Sequence, residues 1–203
     1  VCPSRWLAGE AKASALFGRF EVSVIPYGLP LDVFRPLPRG PIRQALGLDE
    51  SDLVVLFGAE IHTERKGFRY IRQLLARLPQ RSGGRRVVAA AFGSLPEDLP
   101  DTAVPLLRLG FVSDPNILAG LYGAADAYVL PTLEDNLPNT VLEAMACGCP
   151  TVGFAVGGVP DMVEHGVNGF LVPAADVEGL RDGVLWAGAQ GAAVREHNVA
   201  RAR

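Results

Sequence analysis

Cysteine and histidine are scarce in this 203-residue sequence, which contains three of each. Only one residue separates Cys147 from Cys149, which is shorter than the usual spacing of a zinc-ligand pair, and Cys2 is remote from both. The three histidines are also far apart: His62, His165 and His197. Neither residue type forms a metal-ligand pattern. We therefore expect no metal site and three reduced thiols that pack inside a cytosolic protein.

Long hydrophobic runs and clusters of positive charge are also absent from the sequence. No apolar run approaches the roughly 20 residues that span a bilayer, and the first residues show no secretory signal pattern. Lys and Arg are scattered and the net charge is −3, whereas nucleic-acid-binding proteins usually carry a basic stripe. These absences argue against nucleic acid as a partner and predict a cytoplasmic location.

Hydrophobic residues are plentiful, at 49% of the chain, so a sizeable core can form. Apolar β-branched runs predict strands at 22–25, 53–57, 87–92, 106–111, 127–130, 151–154 and 169–172. Helical spacing of apolar residues predicts helices at 67–78, 116–125, 140–146 and 177–187. Alternation of strands and helices is typical of a parallel sheet. We therefore predict an α/β, Rossmann-like fold with helices on both faces of the sheet.

The loops that follow the predicted strands should share one edge of this sheet. They begin after Phe57, Phe92, Leu130 and Phe154, and ligands of open parallel sheets bind outside the carboxyl ends of the strands. No G-x-G-x-x-G follows the first core strand with an acidic residue about 20 positions further on. We therefore expect a ligand site at the carboxyl edge of the sheet. The missing motif disfavours a dehydrogenase-type dinucleotide-binding domain.

The segment 135–150, DNLPNTVLEAMACGCP, is the most informative part of that edge. A polar loop runs directly into a helix, and a helix start presents unpaired N–H groups and a partial positive charge that attract phosphate. Glu143, in the early turns of the helix, would repel phosphate, but its carboxylate can accept hydrogen bonds from hydroxyl groups. Together these features predict a ligand that contains both a phosphate and a sugar.

Several short motifs occur in a specific order along the chain. They are Ser4-Arg-Trp-Leu7, Val24-Ile-Pro-Tyr-Gly28, Arg65-Lys-Gly67, Gly110-Phe-Val112, Tyr122 with Ala125-Asp126, 131–150 and 157–169. Over nearly all of residues 1–200, the chain resembles the C-terminal, donor-binding half of a retaining glycosyltransferase of the GT-B fold, in family 4 (glycosyl transferases group 1). The E-x7-E motif of that family reads here Asp135-x7-Glu143.

The resemblance implies three catalytic residues. Lys66 would reach the diphosphate of the donor, Asp135 would face the donor sugar, and Glu143 would accept hydrogen bonds from the ribose hydroxyls. The donor-binding residues that it implies are Gly58, Arg65, Lys66, Phe111, Val112, Asp135, Asn136, Leu137, Asn139, Thr140 and Glu143.

The chain departs from the family pattern at two positions of this site. Ala59 stands where the family usually has an Arg that joins the Lys at the diphosphate, although Arg65 could compensate in part. Asp135 replaces the first Glu of the motif, so its carboxylate is one methylene shorter. These departures leave open an alternative function, that of a nucleotide- or sugar-binding module without catalytic activity.

Other motif residues have structural alternatives. Phe111 and Val112 would hold the base, largely through backbone groups, or would serve in plain packing. Tyr122 and Asp126 are expected to be structural rather than ligand-binding.

The resemblance also implies the domain organisation and the reaction. Residues 1–40 contain many prolines, which is typical of a linker, and we expect them to lead from an absent N-terminal domain into a donor-binding domain at 41–203. The full enzyme would transfer a sugar from a nucleotide diphosphate sugar to a glycan or lipid-linked acceptor, with retention of configuration. It would need no cofactor and no metal.

The acceptor would bind to the absent half, which also allows peripheral membrane association. The isolated chain would bind nucleotide but transfer little sugar. The base, the sugar and the acceptor are not encoded in a readable pattern.

Overall fold

A computed structural model of the chain describes residues 1–60, 63–97, 99 and 102–202. Within those ranges the helices are α1 (Arg5–Ala13), α2 (Arg39–Ala45), α3 (Phe68–Leu75), α4 (Pro115–Ala124), α5 (Asn139–Ala146), α6 (Val159–Met162), α7 (Val177–Ala189) and α8 (Ala192–Ala202). The strands are β1 (Leu53–Glu60), β2 (Arg81–Ser82), β3 (Arg85–Ser94), β4 (Leu106–Gly110), β5 (Ala127–Leu130), β6 (Thr151–Phe154) and β7 (Gly169–Val172). None of the helices in these ranges is long and apolar enough to cross a bilayer.

Six of these strands form a parallel sheet in the order β4-β3-β1-β5-β6-β7. The short strand β2 pairs with the start of β3 in the antiparallel direction. The strands β1 and β5 are adjacent although three strands and two α-helices lie between them along the chain, so the strand order reverses direction beside β1. Such a switch in strand order is where open parallel sheets leave a crevice for ligands.

Two hydrophobic clusters lie on opposite faces of the sheet. Successive side chains of a strand point to opposite faces, and β1 accordingly contributes Val54 and Leu56 to one cluster and Leu53, Val55 and Phe57 to the other. Helices α4 and α5 cover the first face, and α3 and α7 cover the second. The predicted α/β fold with helices on both faces is therefore confirmed.

A buried network of charges fixes the start of β5. Asp126 accepts hydrogen bonds from the guanidinium groups of Arg39 (2.7 Å), Arg43 (2.9 Å) and Arg85 (2.8 Å), and from the backbone N–H of Val54 (2.9 Å). Burial alone would raise the pKa of Asp126, but the arginines and the backbone hydrogen bond outweigh it, and the pKa is lowered. These contacts account for Asp126 as a structural residue.

The prediction of a strand at 22–25 is wrong. Only Val24 is paired, through an isolated bridge with Cys2, and Val24 and Ile25 are exposed. A β-branched run forms a strand only when a neighbouring strand and a buried face are available.

Four helices were not predicted: α1, α2, α6 and α8. The first of them begins because the Ser4 hydroxyl accepts a hydrogen bond from the backbone N–H of Leu7, which caps the helix. Helix α2 spans the predicted boundary between residues 40 and 41. The proposed division into linker and domain stays a prediction.

Candidate functional site

A cleft of about 250 Å³ opens at the carboxyl ends of β1, β3 and β5. It is lined by Gly58, Ala59, Lys66, Phe92, Gly93, Phe111, Val112, Tyr128, Val129, Leu130, Pro131 and Thr140. Five of the residues implied by the family resemblance therefore meet at this cleft: Gly58, Lys66, Phe111, Val112 and Thr140. The position agrees with the edge that the sequence predicts for a ligand.

The loop between β5 and α5 forms one side of the site and is anchored at its beginning. The backbone carbonyl of Arg65 accepts hydrogen bonds from Leu133 N (2.7 Å) and from the Thr132 hydroxyl (3.1 Å). The turn that carries Lys66 is therefore tied directly to this loop.

Two glycines hold the middle of the same loop. Gly158 N donates to the carbonyl oxygen of Asp135 at 3.0 Å. A Cβ on Gly157 would overlap that same carbonyl, and a Cβ on Gly158 would overlap the carbonyl oxygen of Asn136. Glycine is therefore required at both positions because the two backbones approach too closely for any side chain.

The Asn136 side chain contacts the N-terminal segment. Its Oδ1 accepts a hydrogen bond from the Ser4 hydroxyl, with 2.5 Å between the two oxygens. Ser4 is buried and also caps α1. The Oδ1 atom of Asn136 is thus engaged within the protein.

Helix α5 begins at Asn139 without a side-chain cap. Pro138 occupies the N-cap position, and no side chain accepts a hydrogen bond from the first turn. Thr140 in that turn lines the cleft, as Tyr128 does. Open N–H groups and the helix dipole make this end of the helix suitable for an anion.

Lys66 and Asp135 form an ion pair at the site, with Nζ and Oδ2 2.7 Å apart. About a third of the Lys66 side chain is exposed, and 14% of that of Asp135. Lys66 ends a short 3₁₀ helix (Glu64–Lys66), which stops at Gly67 with φ of 73°. A Cβ on Gly67 would overlap the carbonyl oxygen of Pro131. The backbone next to Lys66 therefore packs directly against the backbone of the loop between β5 and α5.

Glu143 lies one turn after Thr140 on α5, and its Oε2 accepts a hydrogen bond from the Tyr122 hydroxyl at 3.0 Å. Burial raises the pKa of Glu143, and the hydrogen bond from Tyr122 acts in the opposite direction. Sequence reasoning treated Tyr122 as structural and did not consider Tyr128. Nothing in local spacing reveals these contacts, because the tyrosines come from α4 and β5 and meet α5 only in the folded chain.

Six predicted site residues are not among those that line the cleft: Arg65, Asp135, Asn136, Leu137, Asn139 and Glu143. The Arg65 guanidinium is exposed and donates to the carbonyl of Glu134 at 3.3 Å, Leu137 is buried in the core, and Asn139 is exposed. Ala59 lies in the cleft and contributes no charge. Lys66 is therefore the cation among the cleft-lining residues.

No group of three His, Cys, Asp or Glu residues suited to a metal ion occurs in the ranges that the structure describes. His62 lies outside those ranges. Cys147 and Cys149 are free and buried, and burial raises the pKa of each thiol to about 12. The absence of a metal requirement stays a prediction.

Comparison with known proteins places this site in a family context. A family model described as "Glycosyl transferases group 1" matches residues 52–189. A D-inositol 3-phosphate glycosyltransferase of Actinosynnema mirum is 36% identical over 165 residues, which cover 75% of this chain and 40% of that protein. The enzyme of the same name from Mycobacterium marinum is 34% identical over 186 residues, 85% of this chain and 39% of the relative. The chain thus spans about two fifths of these relatives.

Solved structures show the same fold at lower identity. Sucrose-phosphate synthase from Thermosynechococcus elongatus superposes with a TM-score of 0.80 at 22% identity, over 99% of this chain and 52% of the other. The Anabaena protein Alr3699/HepE, in complex with UDP, gives 0.77 at 22% identity over 99% and 57%. The C-terminal domain of a glycosyl transferase group 1 family protein from Francisella tularensis gives 0.65 at 19% identity over 86% and 96%.

Proposed function

Because this chain belongs to the glycosyl transferases group 1 family and has the fold of a C-terminal GT-B domain, we propose that it is the donor-binding half of a retaining glycosyltransferase. One observation carries the proposal. A lysine and an uncapped helix start meet at one cleft on the carboxyl edge of a parallel sheet. This combination suits a diphosphate.

The diphosphate would bind between Lys66 and the first turn of α5. The Lys66 ammonium offsets negative charge, and the N–H groups of Asn139 and Thr140 can donate to phosphate oxygens. Asp135, whose Oδ2 is 2.7 Å from Lys66 Nζ, would hold the ammonium in position and would face the donor sugar. No metal is needed in this arrangement because the lysine and the helix start supply the positive field.

The nucleoside would extend from the diphosphate toward Glu143 and the β4–α4 loop. Glu143 would accept hydrogen bonds from the ribose hydroxyls, as a carboxylate acceptor can. The base would lie near Phe111 and Val112, which line the cleft after β4. Phe111 is 85% exposed, so an apolar surface is available there to a base.

The reaction would break the bond between the anomeric carbon and the diphosphate and form a glycosidic bond on the same face. The diphosphate leaves with its charge offset by Lys66 and the α5 start. The acceptor hydroxyl loses its proton to a leaving phosphate oxygen, so the products are the glycoside and the nucleoside diphosphate. An N-terminal half would bind the acceptor, a glycan or a lipid-linked sugar, in a cytoplasmic enzyme with or without peripheral membrane contact.

UDP is the first nucleotide to test, because Alr3699/HepE was solved with UDP and with UDP-glucose. We expect UDP, or else GDP or ADP, to raise the unfolding temperature of the chain. A ligand at about 100 times its Kd stabilises a folded protein by about 2.7 kcal/mol. The effect should persist in EDTA, since no metal is proposed.

Matched variants localise the binding. Lys66→Gln and Glu143→Gln should each lower the affinity about tenfold or more, the magnitude of one charged hydrogen bond. The corresponding control variants are Lys12→Gln and Glu10→Gln, which change exposed residues of α1. Both variants should bind the nucleotide as the wild type does. Absence of binding by all three nucleotides, or equal affinity in all four variants, would contradict the proposal.

A non-catalytic binding module is the alternative, and Ala59 is the observation that favours it. With alanine at this position, no second cation joins Lys66 among the described residues that line the cleft, and a leaving diphosphate would be stabilised less. Sugar transfer from UDP-glucose by a longer protein that includes an acceptor-binding half separates the two functions. A non-catalytic module would bind the nucleotide without turnover, and Asp135→Ala would then change nothing in the transfer assay.

A further inference from the structure

Tyr122 is a fully buried residue that contacts the candidate site. Its side chain is 0% exposed, and its ring packs edge-on against Tyr128 (centroids 5.2 Å apart) and against Phe92 (6.2 Å). Both of those aromatic residues line the cleft. The ring of Tyr122 therefore has little freedom, and the position of its hydroxyl is set by the walls of the cleft itself.

The partner of this hydroxyl is a flexible carboxylate and not a backbone group. The hydroxyl lies 3.0 Å from Glu143 Oε2, and because a carboxylate is an acceptor only, the tyrosine donates. Burial keeps the pKa of Tyr122 well above its ordinary value, so the proton is present at neutral pH. Within the described part of the chain, the other oxygen, Oε1, has no hydrogen-bonding partner.

We propose that Tyr122 is a positioning residue, which holds Oε2 of Glu143 so that Oε1 is presented to the ribose hydroxyls of the donor nucleotide. This inference rests on the proposed function. A glutamate has three rotatable bonds, and fixing them before the ligand arrives removes part of the entropic cost of binding. A phenylalanine would fill the same space without supplying the donor, so packing alone does not account for the hydroxyl.

The test compares Tyr122→Phe with the wild type by calorimetric titration of UDP, GDP and ADP. For the nucleotide that binds the wild type, the 2′-deoxy and 3′-deoxy analogues are titrated as well. Loss of the positioning hydrogen bond should weaken the ribonucleotide about tenfold. It should weaken the analogue that lacks the recognised hydroxyl much less, because that contact is already gone. Tyr70→Phe removes a hydroxyl that is bonded to Arg69 away from the cleft, and should change none of these affinities.

The pH dependence gives a second readout that a purely structural role would not move. The titratable groups that influence Glu143 or are influenced by it are Tyr122 from α4, Tyr128 from β5, and Cys147 after α5. All three are neutral at pH 5 to 8. The hydrogen bond favours the ionised carboxylate, so Tyr122→Phe raises the pKa of Glu143 further. As the pH is lowered, Glu143 should therefore become protonated, and nucleotide binding should begin to weaken, at a higher pH in the variant than in the wild type.

The outcomes separate this inference from the proposed function. If none of the three nucleotides binds the wild type, the proposed function is wrong and the role of Tyr122 falls with it. If the wild type binds but Tyr122→Phe binds equally well, or loses affinity equally for the ribonucleotide and both deoxy analogues, only the positioning role is overturned. Should Tyr122→Phe fail to fold, Tyr122→Phe combined with Glu143→Gln is compared with Glu143→Gln alone, because the neutral amide leaves no buried charge unpaired in the double variant. Equal affinities support the inference, and a further loss overturns it.

Discussion

Replacement of Asp126 should be among the most destabilising single changes in this chain. The carboxylate is the shared acceptor of Arg39, Arg43 and Arg85, and it also accepts from the backbone N–H of Val54. Only 2% of the Arg43 side chain is exposed, whereas Arg39 and Arg85 are 32% and 28% exposed. Asp126→Ala therefore leaves one deeply buried guanidinium without its counter-charge.

The magnitude follows from the burial of the three arginines. Removing one partner of a buried ion pair costs about 3–5 kcal/mol, whereas the two more exposed arginines add little because solvent screens them. We expect Asp126→Ala to lower the free energy of unfolding by about 3 kcal/mol. For a chain of this size, that lowers the unfolding temperature by roughly 6–12 °C. Urea unfolding followed by circular dichroism measures the change.

Two comparisons make the prediction specific. Asp126→Asn retains an oxygen that can accept from Val54 N, so its loss of stability should be smaller than that of the alanine variant. Asp182→Ala removes an exposed carboxylate that pairs with Arg181 and should leave the unfolding midpoint unchanged. If Asp126→Ala unfolded at the same urea concentration as Asp182→Ala, the network would contribute nothing and the reasoning would be refuted.

Acid should reduce the difference between wild type and Asp126→Asn. The pKa of Asp126 is lowered in the folded protein, so its ionised form contributes stability fully above its unfolded-state pKa of about 4. That contribution is lost as the pH falls through the lower folded-state value. Unfolding free energies of the two proteins should therefore converge below about pH 4, and a difference that stayed constant down to pH 2 would contradict the assignment.

Further predictions concern the glycines and thiols. Gly158→Ala should abolish nucleotide binding while the chain stays folded, measured by titration and circular dichroism, because its Cβ would push the 131–138 loop away. Gly9→Ala should raise the free energy of unfolding by about 0.5–1 kcal/mol, since Gly9 is exposed inside α1 and a Cβ there meets nothing within 4 Å; a lower urea midpoint would count against this. Cys147 and Cys149 should not react with a thiol reagent at pH 8 until the protein is denatured, since burial raises each thiol pKa to about 12.

The central strands were predictable because their signals are local. β5, β6 and β7 have the predicted bounds 127–130, 151–154 and 169–172, since each is a short apolar run between turn residues. Helices α1 and α8 were missed because most of their residues are polar or small, so no apolar stripe marks them. The apolar run at 22–25 shows the reverse error, since a suitable sequence found no strand beside it.

For the candidate site, the sequence offers residues but not their contacts. The family resemblance implies Lys66, Asp135 and Glu143 as site residues, which stays a prediction, and their partners lie at long sequence separation. Lys66 meets Asp135 across 69 positions, and Tyr122 meets Glu143 across 21 positions. Such pairings depend on where helices and strands pack in three dimensions, which composition and periodicity do not encode.

The hydroxyl of Ser4 connects two parts of the molecule. It accepts from Leu7 N in the first turn of α1 and donates to Asn136 in the loop before α5. A rotation of α1 against the sheet must therefore stretch or break the contact with Asn136, unless the loop travels with the helix. The N-terminal segment is thereby linked directly to the loop beside the cleft. A displacement of the first residues would move that loop through the contact between Ser4 and Asn136.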